Sequence, residues 1–357
     1  MPDAPGLLEL MVRQVRYEAR DIHSYELVHP QGEQLPPFEA GAHVDVHLHD
    51  GYFSLAEGQK LDLSRGIPLP HTLGHEIAGT VVALGPEARG VAIGDSRVAY
   101  PWIGCGQCSV CASGHEELCA SPRVLGLQCA GGFADHVLVP DARYLVDPGR
   151  LPLVQACTYA CAGITAYGAL KKAAPLAAGD TLLVIGAGGV GLSGVRLAKK
   201  LHPHANIVVA EVDASKAELA RAAGASEVID PSAADAGKAL VKSTRGGVTA
   251  AIDFVGAGST FAFGLGTLRK GGRLVCVGLF GGATPIVPVM VAMKAVSVLG
   301  SYVGTLQDLR ELIALAQDGS LPALAVTERP LVDADEALGD LRAGRVRGRV
   351  VLVPSEG

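Results

Sequence analysis

The stretch that most restricts the fold lies in the middle of the chain. Thr181-Leu182-Leu183-Val184-Ile185 is an almost wholly apolar strand that runs into the glycine turn Gly186-Ala187-Gly188-Gly189-Val190-Gly191. A helix is predicted from about Val190 to Leu201, and then a second strand, Asn206–Ala210, with Glu211 at its end. G-x-G-x-x-G carries meaning only in this strand–turn–helix setting, with an acid some twenty residues further on. The glycines let the backbone approach a pyrophosphate at the helix N-terminus, where the partial positive charge gathers. Glu211, with Asp213 as the alternative, can accept both ribose hydroxyls and would repel a 2′-phosphate, so NAD is expected over NADP. Gly186, Gly188, Gly189, Val190, Gly191 and Glu211 are the expected coenzyme-binding residues.

The pattern then repeats. Strands are predicted at 227–230, 250–255, 273–277 and 295–299, with helices between them at 214–223 and 260–268. Six strands with crossover helices make a doubly wound parallel sheet. At 357 residues the chain exceeds most single cores, so a second domain is expected.

The first part of the chain reads differently. Residues 12–17, 24–28 and 42–48 alternate apolar and polar side chains, which predicts short strands and a small antiparallel barrel. His43, His47 and His49 fall on the polar face of the third of these. Further strands are predicted at 80–84 and 97–100. Between 105 and 119 four cysteines follow the spacing Cys105-x2-Cys108-x2-Cys111-x7-Cys119. With no basic, apolar leader at the N-terminus, a reducing cytoplasmic setting is expected, and there such clustering favours metal over disulfides. Four soft ligands with no open position suit one structural zinc. A formal charge of −6 argues against nucleic acid as a partner, and no apolar run is long enough to span a bilayer.

Leu73-Gly74-His75-Glu76-Ile77-Ala78-Gly79 places an imidazole beside a carboxylate in a glycine-flanked turn. A neutral imidazole is a common metal ligand, and the neighbouring carboxylate can orient it or bind the metal itself. Alone, such a pair is more often an ordinary surface pair.

From about Asp45 onward the chain resembles the zinc-dependent medium-chain alcohol dehydrogenases. The residues that carry the resemblance are Gly74-His75-Glu76-x2-Gly79-x5-Gly85, the four-cysteine lobe, Cys161-x-Gly163-Ile164-Thr165, the glycine turn, and Gly344-Arg345-Val346-Arg347-Gly348-Arg349-Val350. The resemblance implies an α/β chain of two parts. Residues 1–155 and 300–357 would form a GroES-like β-barrel catalytic domain, and 156–299 a Rossmann-type NAD-binding domain. It implies dimers or tetramers acting on a small alcohol, aldehyde or ketone. It places His75 and Cys161 on catalytic zinc ligands and Glu76 beside the metal. Phe53 and Trp102 fall on substrate-pocket walls, and Arg349 near the coenzyme pyrophosphate. In that family zinc lowers the pKa of the alcohol oxygen, hydride passes to the nicotinamide, and a hydroxyl–histidine chain carries the proton outward.

The chain departs from that pattern in one place. Where the family has Cys-x-Ser/Thr-Asp, this sequence has Ala42, Val44 and Asp45. Neither alanine nor valine binds zinc or relays a proton, while His43 and His47 fall where the family often carries histidines. Glu76 is therefore the expected substitute ligand, with His43 or His47 as alternatives, and His47 is retained as a relay residue. Residues 12–48 also resemble the opening strands of ferredoxin-reductase-type flavoproteins, without their Arg-x-Tyr-Ser flavin signature, which suggests two genes joined near Asp45. The leading expectation is an NAD-dependent alcohol dehydrogenase acting on primary or secondary alcohols. The alternative is a coenzyme- and structural-zinc-binding protein whose catalysis is impaired by Ala42 and Val44.

Overall fold

Strands Thr181–Ile185 and Val248–Asp253 are buried along their whole length, which a sheet covered on both faces requires. The computed structural model describes residues 11–19, 22–28, 43–55, 59–63, 67, 70–319, 321 and 323–354. Its main sheet has six parallel strands: Thr181–Ile185, Asn206–Ala210, Glu227–Ile229, Val248–Asp253, Leu268–Cys276 and Ser297–Gly300. Numbered along the chain, they lie in the order 3-2-1-4-5-6. The order reverses between the first and fourth strands, which opens a crevice at their carboxyl ends. The predicted strands and helices all form here, with ends that shift by a few residues. Gly189–Leu201 follows the glycine turn, and Ala214–Ala222 and Gly258–Thr267 cross over the sheet.

The first part of the chain forms short ladders. Met11–Ala19 pairs antiparallel with Ile22–Val28, and Tyr52–Ser54 with Lys60–Asp62. Ile77–Thr80, Ser96–Ala99 and Leu145–Val146 form a three-stranded antiparallel sheet. The strand expected at 80–84 begins earlier because Ile77 to Thr80 pair in register with Ala99 to Ser96, leaving Val82 and Leu84 exposed.

One element differs in kind. The predicted strand at 42–48 is a helix, His43–Asp50. Asp45 and Val46 are adjacent and both buried, which a strand with one covered face does not permit. Asp45 turns toward the Gly74–His75 loop, while Val46 packs with Ala334 and Leu338. The C-terminal segment thus returns to the first lobe, and its strands Val326–Pro330 and Arg349–Val353 pair in parallel. Ala42 lies outside the described residues. Among the described residues, no single helix is long and apolar enough to cross a membrane.

Candidate active site and metal centres

The cysteine lobe is built as its spacing implies. The sulfurs of Cys105, Cys108, Cys111 and Cys119 lie within 4.8 Å of one another. Cys108 Sγ is 3.4 Å from Cys111 Sγ and 3.9 Å from Cys119 Sγ, and Cys105 Sγ is 3.9 Å from Cys111 Sγ. Four sulfurs at about 2.3 Å from a central zinc stand about 3.8 Å apart in a tetrahedron, so the cluster fits a closed structural site. The backbone N–H groups of Gln107 and Cys108 hold the Cys105 thiol down to about 6, whereas burial pushes Cys111 up to about 12. Glu116 fastens the lobe to its surroundings. Its Oε2 accepts from Gly104 N–H at 3.0 Å and from the Tyr144 hydroxyl at 2.6 Å.

The His75 loop is fixed by the helix that the sequence disguised. Asp45 Oδ1 accepts the Gly74 N–H at 3.1 Å, and Asp45 Oδ2 stands 3.1 Å from His75 Nδ1. That second approach is close but out of line for a hydrogen bond, so it acts as an ion-pair contact. Gly74 has φ +93°, and a side chain there would meet the Phe133 ring at 2.7 Å, so only glycine admits this turn. His75 is 1% exposed, and its Nε2 has no hydrogen-bond partner among the described residues. Cys161 stands beside the ring at the N-cap of helix Ala162–Ala173. Burial alone would push the imidazole down, but the Asp45 carboxylate and the Cys161 sulfur outweigh it and raise His75 to about 10. Such a site holds positive charge strongly, and a buried imidazole nitrogen without a partner beside a thiol is the donor set zinc takes. The residues fit a metal.

Glu76 does not join them. Its Oε1 accepts the Ala162 N–H at 2.9 Å, and its Oε2 forms an ion pair with Arg349. Both oxygens are occupied away from the His75–Cys161 pair, which corrects the expectation of Glu76 as substitute ligand. The physical reason is local: the helix N-terminus at Ala162 and a buried guanidinium both attract the carboxylate. Among the described residues, only the four cysteines bring three or more such donors together. Trp102, buried, donates from Nε1 to Ala160 O at 3.2 Å and meets His75 edge to face at 5.5 Å. It therefore packs against one side of the His75 ring. The Phe53 side chain lies outside what the structure describes. His47 is half-buried on the same helix as Asp45.

The coenzyme turn fits a dinucleotide. Gly186 has φ +89°, and helix Gly189–Leu201 begins at Gly188 with no side chain capping its first N–H groups. Glu211 Oε2 accepts the Ala187 N–H at 2.7 Å, so the carboxylate lies at the turn. Asp213 is the N-cap of helix Ala214–Ala222, accepting from the Ser215 and Lys216 N–H groups, so of the two acids Glu211 is the one that meets the glycine turn. Arg349 joins the two regions. A side chain at Gly189 would stand 2.9 Å from its Cδ, while its guanidinium reaches Glu76. Asp45 was visible in sequence only as part of a four-residue pattern. Its role became legible once the helix turned it onto His75.

Comparison with known proteins agrees with this arrangement. Residues 40–149 match the alcohol dehydrogenase GroES-like domain, and residues 189–318 the zinc-binding dehydrogenase family. An NAD-dependent alcohol dehydrogenase of Sulfurisphaera tokodaii is 37% identical over 330 residues, covering 91% of this chain and 94% of that one. Another from Saccharolobus solfataricus is 36% identical with the same coverage. The crystal structure of the alcohol dehydrogenase of Aeropyrum pernix superposes with a TM-score of 0.78 at 30% identity, covering 97% of this chain and all of that chain. These likenesses extend over nearly the whole chain, and the resemblance of its first fifty residues to ferredoxin-reductase-type flavoproteins gains no support from them.

Proposed function

The chain belongs to the zinc-dependent medium-chain alcohol dehydrogenases, and from that premise we propose that it transfers hydride between a primary or secondary alcohol and NAD. The observation that carries this reading is the buried, unpartnered His75 Nε2 beside Cys161, joined through Glu76 and Arg349 to the coenzyme turn. His75 and Cys161 hold the catalytic metal, and Asp45 keeps the imidazole in place. A zinc bound there supplies the positive charge that polarises the substrate oxygen. The glycine turn would hold NAD, which would supply the hydride acceptor, and Glu211 would accept from its ribose hydroxyls. The balanced reaction is alcohol plus NAD giving carbonyl, NADH and a proton. The contact of Arg349 with Gly189 supports a place for it at the coenzyme pyrophosphate, and its ion pair with Glu76 supports Glu76 as the residue that positions it and not as a metal ligand.

Among the described residues the metal site has two donors, fewer than the three protein ligands of an ordinary catalytic zinc. With Ala42 in the sequence and Glu76 engaged elsewhere, this zinc is held more weakly than the one in the cysteine lobe. That favours impaired catalysis as the second reading, in which the chain keeps NAD and the structural zinc but turns over slowly. An assay of NADH and NADPH formation over a panel of small primary and secondary alcohols tests the proposal. Turnover with NAD at least about tenfold above NADP is expected, since the Glu211 carboxylate faces a 2′-phosphate. No turnover with either coenzyme, or a preference for NADP, contradicts it.

The two-part division at 1–155 with 300–357 and 156–299 belongs to the same proposal, as does a cytoplasmic location. The return of Ala334 and Leu338 to Val46 supports the division. Assembly into dimers or tetramers completes it. Strand Ser297–Gly300 is an open sheet edge exposed at every residue, flanked by exposed Val287, Met290 and Met293. An open edge pairs readily with an identical strand across a two-fold axis. Sedimentation should show a dimer or larger, and Val298→Lys should yield monomers. A wild-type monomer at micromolar concentration contradicts this.

A further inference from the structure

A small cavity lies where helix Gly189–Leu201 meets the chain on its way back to the first lobe. Ser193, Arg196 and Leu197 of that helix form one wall, and Tyr159 and Gly163 a second. Leu321 and Leu324, between helix Leu306–Gln317 and strand Val326–Pro330, close the third. The open centre, about 10 Å³, holds one water-sized particle.

Two of the lining side chains are polar and have no protein partner. Tyr159 is 6% exposed, and a side chain on Gly163 would stand 2.9 Å from its ring, so packing fixes the tyrosine in place. Its hydroxyl makes no hydrogen bond among the described residues. The half-buried Arg196 side chain makes no hydrogen bond or ion pair among them either. Burial pushes its guanidinium down from the ordinary value, the mark of a cation that has lost water without gaining a counter-charge. Asp318, the acid nearest to Leu321 along the chain, bonds instead to Lys200, one turn further along the helix, at 3.4 Å. Ser193 brings no charge, and its hydroxyl already donates to Gly189 O at 2.9 Å.

The lining therefore lacks negative charge. A neutral phenol has a proton to donate, and a guanidinium can only donate. A water between them would leave the positive charge uncompensated, whereas a small anion takes donors from both sides and cancels it. We propose that Arg196 and Tyr159 bind a single small monovalent anion, chloride in ordinary solution, which braces helix Gly189–Leu201 against Leu321 and Leu324. The cavity admits a halide and is too small for a phosphate. Because this helix begins at the glycine turn, the ion steadies the element that carries the coenzyme motif. The inference does not depend on the reading of the His75–Cys161 pair.

The test compares full-length wild type, Arg196→Met and Tyr159→Phe in sodium chloride and in sodium gluconate of equal ionic strength, gluconate being far too large for the cavity. At roughly 0.1 M salt the wild type should melt about 3 °C higher in chloride, as a site with Kd of roughly 10 mM requires. Arg196→Met should lose that difference. Tyr159→Phe keeps the ring against Gly163 and should need about tenfold more chloride for the same rise. Should Arg196→Met fail to fold, the chloride dependence of Tyr159→Phe decides. Wild-type crystals soaked in sodium bromide should show an anomalous peak between the two side chains. Equal melting of the wild type in both salts, or a bromide map without that peak, would overturn the proposal. So would a chloride effect that persists in Arg196→Met or is unshifted in Tyr159→Phe.

Discussion

Replacing Cys111 by serine is expected to release one zinc per chain and lower Tm by roughly 10 °C or more. The lobe from Gly104 to Cys119 has little apolar core of its own: its helical turns are Ser109–Ala112 and Glu116–Leu118, and the latter buries no residue. Its sulfurs supply the cohesion, with Cys111 within 3.4 Å of Cys108 and 3.9 Å of Cys105. Structural zinc contributes on the order of 10–16 kcal/mol to small zinc-built folds. Even a third of that, about 4–5 kcal/mol, accounts for the expected shift at about 2 °C per kcal/mol in a protein of this size. The loss should spread beyond the lobe, because Glu116 links it to Tyr144 beside strand Leu145–Val146. Calorimetry with zinc analysis reads both effects. An unchanged Tm with the zinc gone would show that the lobe is held by other contacts.

His75→Ala should reduce kcat/KM for alcohol oxidation by about a thousandfold or more while leaving NADH affinity within twofold. The side chain is buried, its Nε2 has no hydrogen-bond partner among the described residues, and Asp45 holds it in one orientation. Removing it leaves Cys161 as the sole remaining donor of the pair. Losing a metal that stabilises developing charge costs several kcal/mol, and about 4 kcal/mol corresponds to a thousandfold in rate. The coenzyme turn, Glu211 and Arg349 do not depend on the imidazole, so binding of NADH is spared. A variant with tenfold or smaller loss would mean that the metal, if bound, is held by other residues.

The sheet was legible in the sequence because its strands are buried on both faces. Leu182, Leu183, Val184 and Ile185 need no context to read as a covered strand, and the glycine turn can follow only such a strand. The four cysteines were legible for a similar reason, since their spacing alone brings them within reach of one metal. The segment from 42 to 48 was not. Seven residues of alternating character fit either period, and the deciding contacts, Asp45 to Gly74 and Val46 to Leu338, come from residues far along the chain. Glu76 was misread because adjacency to His75 in sequence says nothing of where the carboxylate points. Ala162 and Arg349, at 86 and 273 residues' separation, settle it.

The central claim is that His75 and Cys161 hold a second zinc, distinct from that of the cysteine lobe and bound less tightly. Zinc analysis of the purified wild-type chain, of His75→Ala and of Cys111→Ser, before and after brief exposure to a chelator, tests it most directly. The account predicts two zincs per wild-type chain, one in His75→Ala, and one in Cys111→Ser where that protein remains folded. In the wild type the chelator should remove the zinc at His75 and Cys161 together with dehydrogenase activity, while Tm stays nearly constant. A single zinc per wild-type chain, unchanged in His75→Ala, would contradict it.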